Sequence, residues 1–184
     1  FFSTRGMVYK MKVYRLPLGN PQARGKALIN LLPLEEGETI STVMPLPEDE
    51  SSWGQSQIVF ATSSGYIRRN ELSDFVDVKA NGKIAMKLDA GDRLIGVGVC
   101  TEANDILLAA RSGKAIRFAI GDVRVFAGRD SIGVRGIKLE EGDRVVSMSV
   151  LRHVEIELAE RDAYLRYAAA KRRALGEAPA TEET

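Results

Sequence analysis

An all-β array of about three propeller-like, four-stranded blades followed by a C-terminal helix is what this sequence predicts. Two observations predict it: a five-residue pattern that recurs three times, and an abrupt change of texture after Leu151. The pattern is Leu, acid, any residue, Gly, acid, as Leu34-Glu35-Glu36-Gly37-Glu38, Leu88-Asp89-Ala90-Gly91-Asp92 and Leu139-Glu140-Glu141-Gly142-Asp143, with its glycines 54 and 51 residues apart. That period matches one blade of a radial array, a unit that cannot bury its faces alone and must stack on its neighbours. The predicted boundaries are 1–47, 56–101 and 105–151 for the blades, 152–176 for a helical insertion and 177–184 for a tail. Three blades make an arc, so strand edges are expected to stay open at both ends.

The elements follow in order. In each copy a polar turn ends on glycine: Ser3-Thr4-Arg5-Gly6, Thr62-Ser63-Ser64-Gly65 and Ala110-Arg111-Ser112-Gly113. Glycine supplies the positive φ of a tight hairpin, and the apolar runs Ile58-Val59-Phe60-Ala61 and Ile106-Leu107-Leu108-Ala109 lead into the second and third turns as strands. After the first turn Met7, Tyr9, Met11 and Val13 alternate with Val8, Lys10 and Lys12, the period of a half-buried strand. Tyr9 and Tyr66 are read as packed rings, and Gly25, Gly82 and Gly133 as turn formers. Each acidic pattern opens into another strand-like stretch, at 39–43, 93–97 and 144–148. Residues 154–175 contain neither Gly nor Pro and read as a helix with Val154, Leu158, Leu165 and Ala168 near one face. Glu157 with Arg161 and Asp162 with Arg166 are candidate i, i+4 ion pairs, and Gly176 is placed to end the helix. The tail is too polar to pack and is expected to be disordered.

With 45% hydrophobic and 28% charged residues the composition is that of a soluble globular chain, and a net charge of +1 does not by itself announce nucleic acid. No apolar run approaches the ~18 residues that crossing a bilayer requires. The start Phe1-Phe2-Ser3-Thr4-Arg5-Gly6 has neither an initiator Met nor a leader, so an excised piece of a cytoplasmic protein is expected. One cysteine, Cys100, cannot close an internal disulfide and is read as a small core residue; with one histidine, His153, no zinc-ligand set is available. The same count leaves no Ser/His/acid set, so no catalytic residue and no metal or cofactor are expected in this chain. Gly128 and Gly133 have the spacing of a phosphate-binding loop, but Val134-Arg135 stand where Lys and Ser/Thr are needed, which rejects that motif.

The chemistry-bearing feature is basic. The fourth residue after each turn glycine is Lys10, Arg69 and Arg117, which predicts a ring of cations at one place on successive blades, with Lys12 and Arg68 beside it. Further cations fall in the connections that follow: Arg24 and Lys26, Lys79 and Lys83, and Arg124, Arg129 and Arg135. A curved track of this kind suits duplex DNA, whose phosphates bind through counterion release and carry no sequence information. That track requires the acidic turns to sit away from the cations. The competing reading is that these Lys and Arg only keep strand edges soluble.

Arg5-Gly6-Met7-Val8-Tyr9-Lys10-Met11-Lys12-Val13-Tyr14-Arg15-Leu16-Pro17, Ala23-Arg24-Gly25-Lys26, Asn30-Leu31-Leu32-Pro33-Leu34 and Gly133-Val134-Arg135-Gly136-Ile137-Lys138-Leu139 closely resemble the C-terminal domain of the DNA gyrase A subunit. The resemblance implies part of a six-bladed β-pinwheel whose blades exchange strands, with double-stranded DNA wrapped on the basic perimeter. It also implies an A2B2 holoenzyme with the gyrase B subunit, an ATP-dependent type II topoisomerase whose ATP and Mg sit on other domains. This chain is then expected to be non-catalytic and, isolated, monomeric. The family's basic glycine-rich box does not occur here; Gln22-Ala23-Arg24-Gly25-Lys26 is a weaker relative, and the box is expected upstream of Phe1. Segment 152–184 departs from the family's direct passage into the next blade. The rivals are the C-terminal domain of the topoisomerase IV A subunit and a propeller-like protein scaffold that binds no DNA.

Overall fold

The chain folds as successive antiparallel sheets, and the computed structural model describes them within residues 1–176; the tail at 177–184 lies outside the described residues. The strands in chain order are β1 (Phe2–Ser3), β2 (Met7–Val8), β3 (Ile40–Thr42), β4 (Gln57–Thr62), β5 (Tyr66–Glu71) and β6 (Lys83–Ile84). They continue with β7 (Leu94–Cys100), β8 (Asn104–Ala110), β9 (Ala115–Ala119), β10 (Val134–Arg135) and β11 (Val145–Arg152). Three sheets result, with strand orders β3-β1-β2-β6, β10-β5-β4-β7 and β11-β8-β9. The hairpins β1–β2, β4–β5 and β8–β9 turn on Gly6, Gly65 and Gly113, all at positive φ as the turn chemistry required.

The outer strand of each complete sheet comes from the following copy. β6 pairs with β2 in the register Met7↔Ile84 and Val8↔Lys83, and β10 pairs with β5 as Val134↔Ile67 and Arg135↔Tyr66. The third sheet has three strands where four were expected, because β9 has no neighbour on its outer side among the described residues. At the opposite end of each sheet β3, β7 and β11 pack on one another, with Met148 and Val150 of β11 lying over Gly96 and Gly98 of β7. The sheets therefore run from an inner row to donated outer edges.

Stacking explains the burial pattern of β4, where the pleat sends alternate side chains to opposite faces. Ile58 and Phe60 join Phe2, Trp53, Leu72, Phe75 and Met86 in one core, while Val59 and Ala61 join Ile67, Cys100, Ile106, Leu108 and Ile120 in the other. Phe2 and Phe60 meet edge to face at 5.8 Å, and Phe60 lies 5.7 Å from Phe75. Each large apolar side chain so buried contributes ~1.5–3 kcal/mol.

Three further expectations are corrected. The predicted strand after Gly6 ends at Val8, and Val13–Arg15 is a 3-10 turn. The ladder stops with the reciprocal bonds between Tyr9 and Phe1, so the alternation at Met11 and Val13 has no partner strand to express it. The helix, α1 (Leu158–Ala174), begins four residues later than predicted. Val154 and Ile156 are β-branched and favour extended backbone, and Glu157 makes no side-chain cap. No α1 side chain is buried, and the two expected i, i+4 side-chain pairs are replaced by Arg161 on Asp162 and by Arg166 donating to the Asp162 carbonyl. Gly176, at positive φ, ends the helix by donating to Arg173 O. The blades (Phe1–Arg152) and the segment from His153 onward form two separate units.

Candidate nucleic-acid interface

Lys10, Arg69 and Arg117 each stand four residues after a turn glycine, Arg69 on β5, Arg117 on β9 and Lys10 just beyond the end of β2, but each carries its own carboxylate. Lys10 Nζ lies 2.8 Å from Glu50, Arg69 Nη1 2.8 Å from Glu102, and Arg117 Nη1 3.5 Å from Asp105. Lys10 also donates to Val76 O and sits 5.7 Å over the Trp53 ring. Arg69 is buried at 5% exposure and bonds Gln57 as well. The expected ring of free charge is thus a ring of ion pairs: for Lys10 and Arg69 the acid comes from the connection that leads into the next copy's hairpin, and for Arg117 from the first strand of its own hairpin. Lys12 is likewise paired, with Glu48 at 3.3 Å.

The acidic turns sit at the other end of the hairpins, as a basic track requires. Asp92 accepts from Ser63 Oγ at 2.7 Å, Ser64 N at 2.9 Å and Arg93 N at 2.8 Å. Burial pushes its carboxyl up, but hydrogen bonds from Thr62, Ser63, Arg93 and Ser64 outweigh that and hold it below the usual range. Asp143 repeats the arrangement on Ser112 and Arg144, and the Ser112 hydroxyl is the main cause of its lowered pKa. In the first copy Glu38 accepts from the Tyr9 hydroxyl at 3.1 Å and the Glu35 amide at 2.9 Å. Burial, then the Glu38 charge, push Tyr9 up to about 12. Glu38, Asp92 and Asp143 stand in the sequence as the closing acids of the repeated pattern, but their capping role is not legible there, because the offset from turn to acid varies, 29 positions from Ser63 to Asp92 and 31 from Ser112 to Asp143.

The remaining candidates lie in the connections that follow the hairpins or, for Lys83 and Arg135, in the donated strands β6 and β10 themselves. Arg24, Lys26, Lys79, Arg124 and Arg135 are exposed, and none has a carboxylate partner among the described residues; Arg124 stacks 4.2 Å from the centroid of Phe126. Lys83 and Arg129 are half-buried and donate to Asp74 O and Ile84 O. Arg68 is corrected outright: it is fully buried, with its guanidinium on the carbonyls of Gly128, Arg129 and Ser131, so it cannot face solvent phosphate. Burial holds its pKa down at about 10. Cys100 is buried, as expected, and burial pushes its thiol up to about 11.

Blades that take their outer strand from the next copy define a strand-exchanging, propeller-like array. The sequence matches the family described as DNA gyrase C-terminal domain, beta-propeller, over residues 1–47, 56–101 and 104–152, and the chain belongs to that family. It is 59% identical over 175 residues to the DNA gyrase A subunit of Granulibacter bethesdensis, covering 94% of this chain and 19% of that protein. The match therefore runs past the blades into the helical segment, and the chain spans about one fifth of this relative's length. Among solved structures, a DNA gyrase A C-terminal domain superposes with a TM-score of 0.63 at 26% identity, covering 81% of this chain and 46% of that one. The C-terminal domain of a DNA topoisomerase IV gives 0.73 at 24% identity over 83% of this chain and 46% of that one, a likeness of fold.

Proposed function

We propose that this chain binds duplex DNA without regard to sequence and wraps it along its outer edge, as part of a gyrase A subunit. The observation that carries this reading is the set Arg24, Lys26, Lys79, Arg124 and Arg135: exposed, without carboxylate partners among the described residues, and supplied by all three copies after their hairpins, four of them in connections and Arg135 in the donated strand β10. Phosphates on a curved duplex meet such cations in succession, and the contacts offset an elastic bending cost of ~1–6 kcal/mol for a short site. The paired Lys10 and Lys12 are exposed enough to exchange a carboxylate for a phosphate, since surface ion pairs hold by only ~0–1 kcal/mol, whereas the Asp105 partner of Arg117 is buried.

In the intact protein this wrapping would serve ATP-dependent negative supercoiling by a cytoplasmic A2B2 holoenzyme that includes the gyrase B subunit. ATP and Mg would act on domains outside this chain. The role is non-catalytic. Among the described residues no helix is long and apolar enough to cross a membrane. Wrapping is read by closing nicked circular DNA with ligase in the presence of the chain: a change of linking number that grows with protein supports the proposal. Binding without any such change favours the way a topoisomerase IV domain would steer DNA, and no binding at low salt favours a protein-interaction scaffold.

A further inference from the structure

In the first two copies the residue three positions after the turn glycine meets the segment arriving from the next copy, and the three copies carry three different side chains at that position. Tyr9 lies against Gly82, where an added Cβ would sit 2.6 Å from its ring. Ile116 is exposed on β9, which receives no strand among the described residues. Arg68 is the exception in chemistry: a fully buried cation whose guanidinium donates to carbonyls, Arg129 O at 2.6 Å, Ser131 O at 2.9 Å and Gly128 O.

The incoming connection explains the cation. Between the 3-10 turn and the donated strand's glycine the second copy runs from Val76 to Gly82, whereas the third runs the longer way from Val123 to Gly133. A longer irregular stretch costs more conformational entropy to order and leaves more carbonyls to satisfy. Arg68 takes three of those carbonyls with one planar group. Asn70 takes Phe126 O at 2.9 Å and Gly128 O at 3.1 Å, and Arg69 O accepts from Phe126 N at 2.8 Å. Two exposed cations of this copy that have no carboxylate partner among the described residues, Arg124 and Arg135, bracket the stretch so fastened, and Arg124 is braced on the ring of Phe126 within it.

We propose that Arg68 is the positioning residue for Arg124 and Arg135: by ordering the stretch between them it fixes their spacing against a phosphate backbone, while touching no phosphate itself. This rests on the DNA-binding reading above. It makes a buried arginine part of the grip through the loop it holds rather than through its charge at the rim.

The test uses the whole 184-residue chain, a fluorescent duplex and anisotropy over a salt series, with circular dichroism and amide hydrogen exchange on the same samples. Arg68→Met is expected to keep its strand signal, to speed exchange at residues 126–133, to lose about tenfold in affinity at low salt, and to flatten the plot of log affinity against log salt by ~1–2, the share of two phosphate contacts. Arg68→Lys is expected to recover part of the slope. Combined with Arg124→Ala and Arg135→Ala, Arg68→Met should add little, because the residues act as one unit. An unchanged slope in folded Arg68→Met, or full additivity with the other two, overturns the proposal. Unfolding of both Arg68 variants overturns it too, since Arg68 would then support the blade and not the loop. Failure of the unaltered chain to bind duplex at any salt removes the DNA-binding reading itself, a result distinct from these.

Discussion

Asp92 carries, in one carboxylate, the junction between a hairpin turn and the turn that leads to the inner strand. It accepts from two residues of the Thr62–Gly65 turn and from Arg93, and each charge-assisted bond is worth ~1.5–3 kcal/mol when a partner is removed. Asp92→Ala is therefore expected to lower unfolding free energy by about 1–3 kcal/mol in urea titrations at neutral pH. Its pKa is depressed in the fold, so this stability is present above the unfolded carboxylate value, ~3.9, and is lost as pH falls below it. The gap between Asp92→Asn and the unaltered chain should accordingly narrow at acid pH; a gap as wide at pH 3 as at pH 7 would remove the charge from the account. Cys100 gives a second expectation at this scale. Its buried thiol is pushed up to about 11, so at pH 8 it should react with a thiol reagent only after denaturation. Rapid labelling of the native chain would contradict that burial. Cysteine burial was legible from residue type and context; the cap was not, because its hydroxyl partner lies 29 positions away in sequence.

Among the elements, the donated strands decide how the blades join. β6 and β10 are two residues long each, too short to show a period, which is why the sequence revealed three repeats and their hairpins but not which strand closes which sheet. Only the family resemblance implied the exchange. The glycine that precedes each donated segment tests it. Gly133 has φ +87, and an added Cβ would lie 2.2 Å from Ile67 O, whereas Gly25, at φ +67, would meet nothing within 4 Å. Both substitutions to Ala force a left-handed residue at ~1–2 kcal/mol, but only the one at Gly133 also drives backbone apart. Gly133→Ala is expected to destabilise the blades by more than about 3 kcal/mol and Gly25→Ala by about 1 kcal/mol. Equal midpoints in thermal unfolding would mean that β10 does not hold the second sheet closed. The helix shows the same limit from the other side: its composition announced its existence, but Val154 and Ile156 delayed its start, and none of its side chains is buried.

For the molecule as a whole the question is which cations remain available to an anion. Position in the repeat picked out Lys10, Arg69 and Arg117 from the sequence, and the fold pairs all three, because the matching acids Glu50, Glu102 and Asp105 have no common spacing from them that a repeat pattern would reveal. Reversing Arg69, which the repeat alone would offer as a harmless test of DNA contact, would bury a carboxylate beside Glu102 and unfold the second blade before it reported on DNA. The informative variant instead removes Arg24, Lys26, Lys79, Arg124 and Arg135 together, all exposed and none holding a carboxylate among the described residues. If each meets one phosphate, the slope of log affinity against log salt should become shallower by ~4.5, at ~0.9 per contact, while the melting temperature stays where it was. Removing a neutral pair, Lys10→Ala with Glu50→Ala, should change that slope by less than ~1. A five-fold variant whose slope equals that of the unaltered chain would place the phosphate track elsewhere on the blades, and a neutral-pair variant with the larger change would show that DNA displaces the carboxylates and that the paired ring, rather than the outer edge, makes the contact.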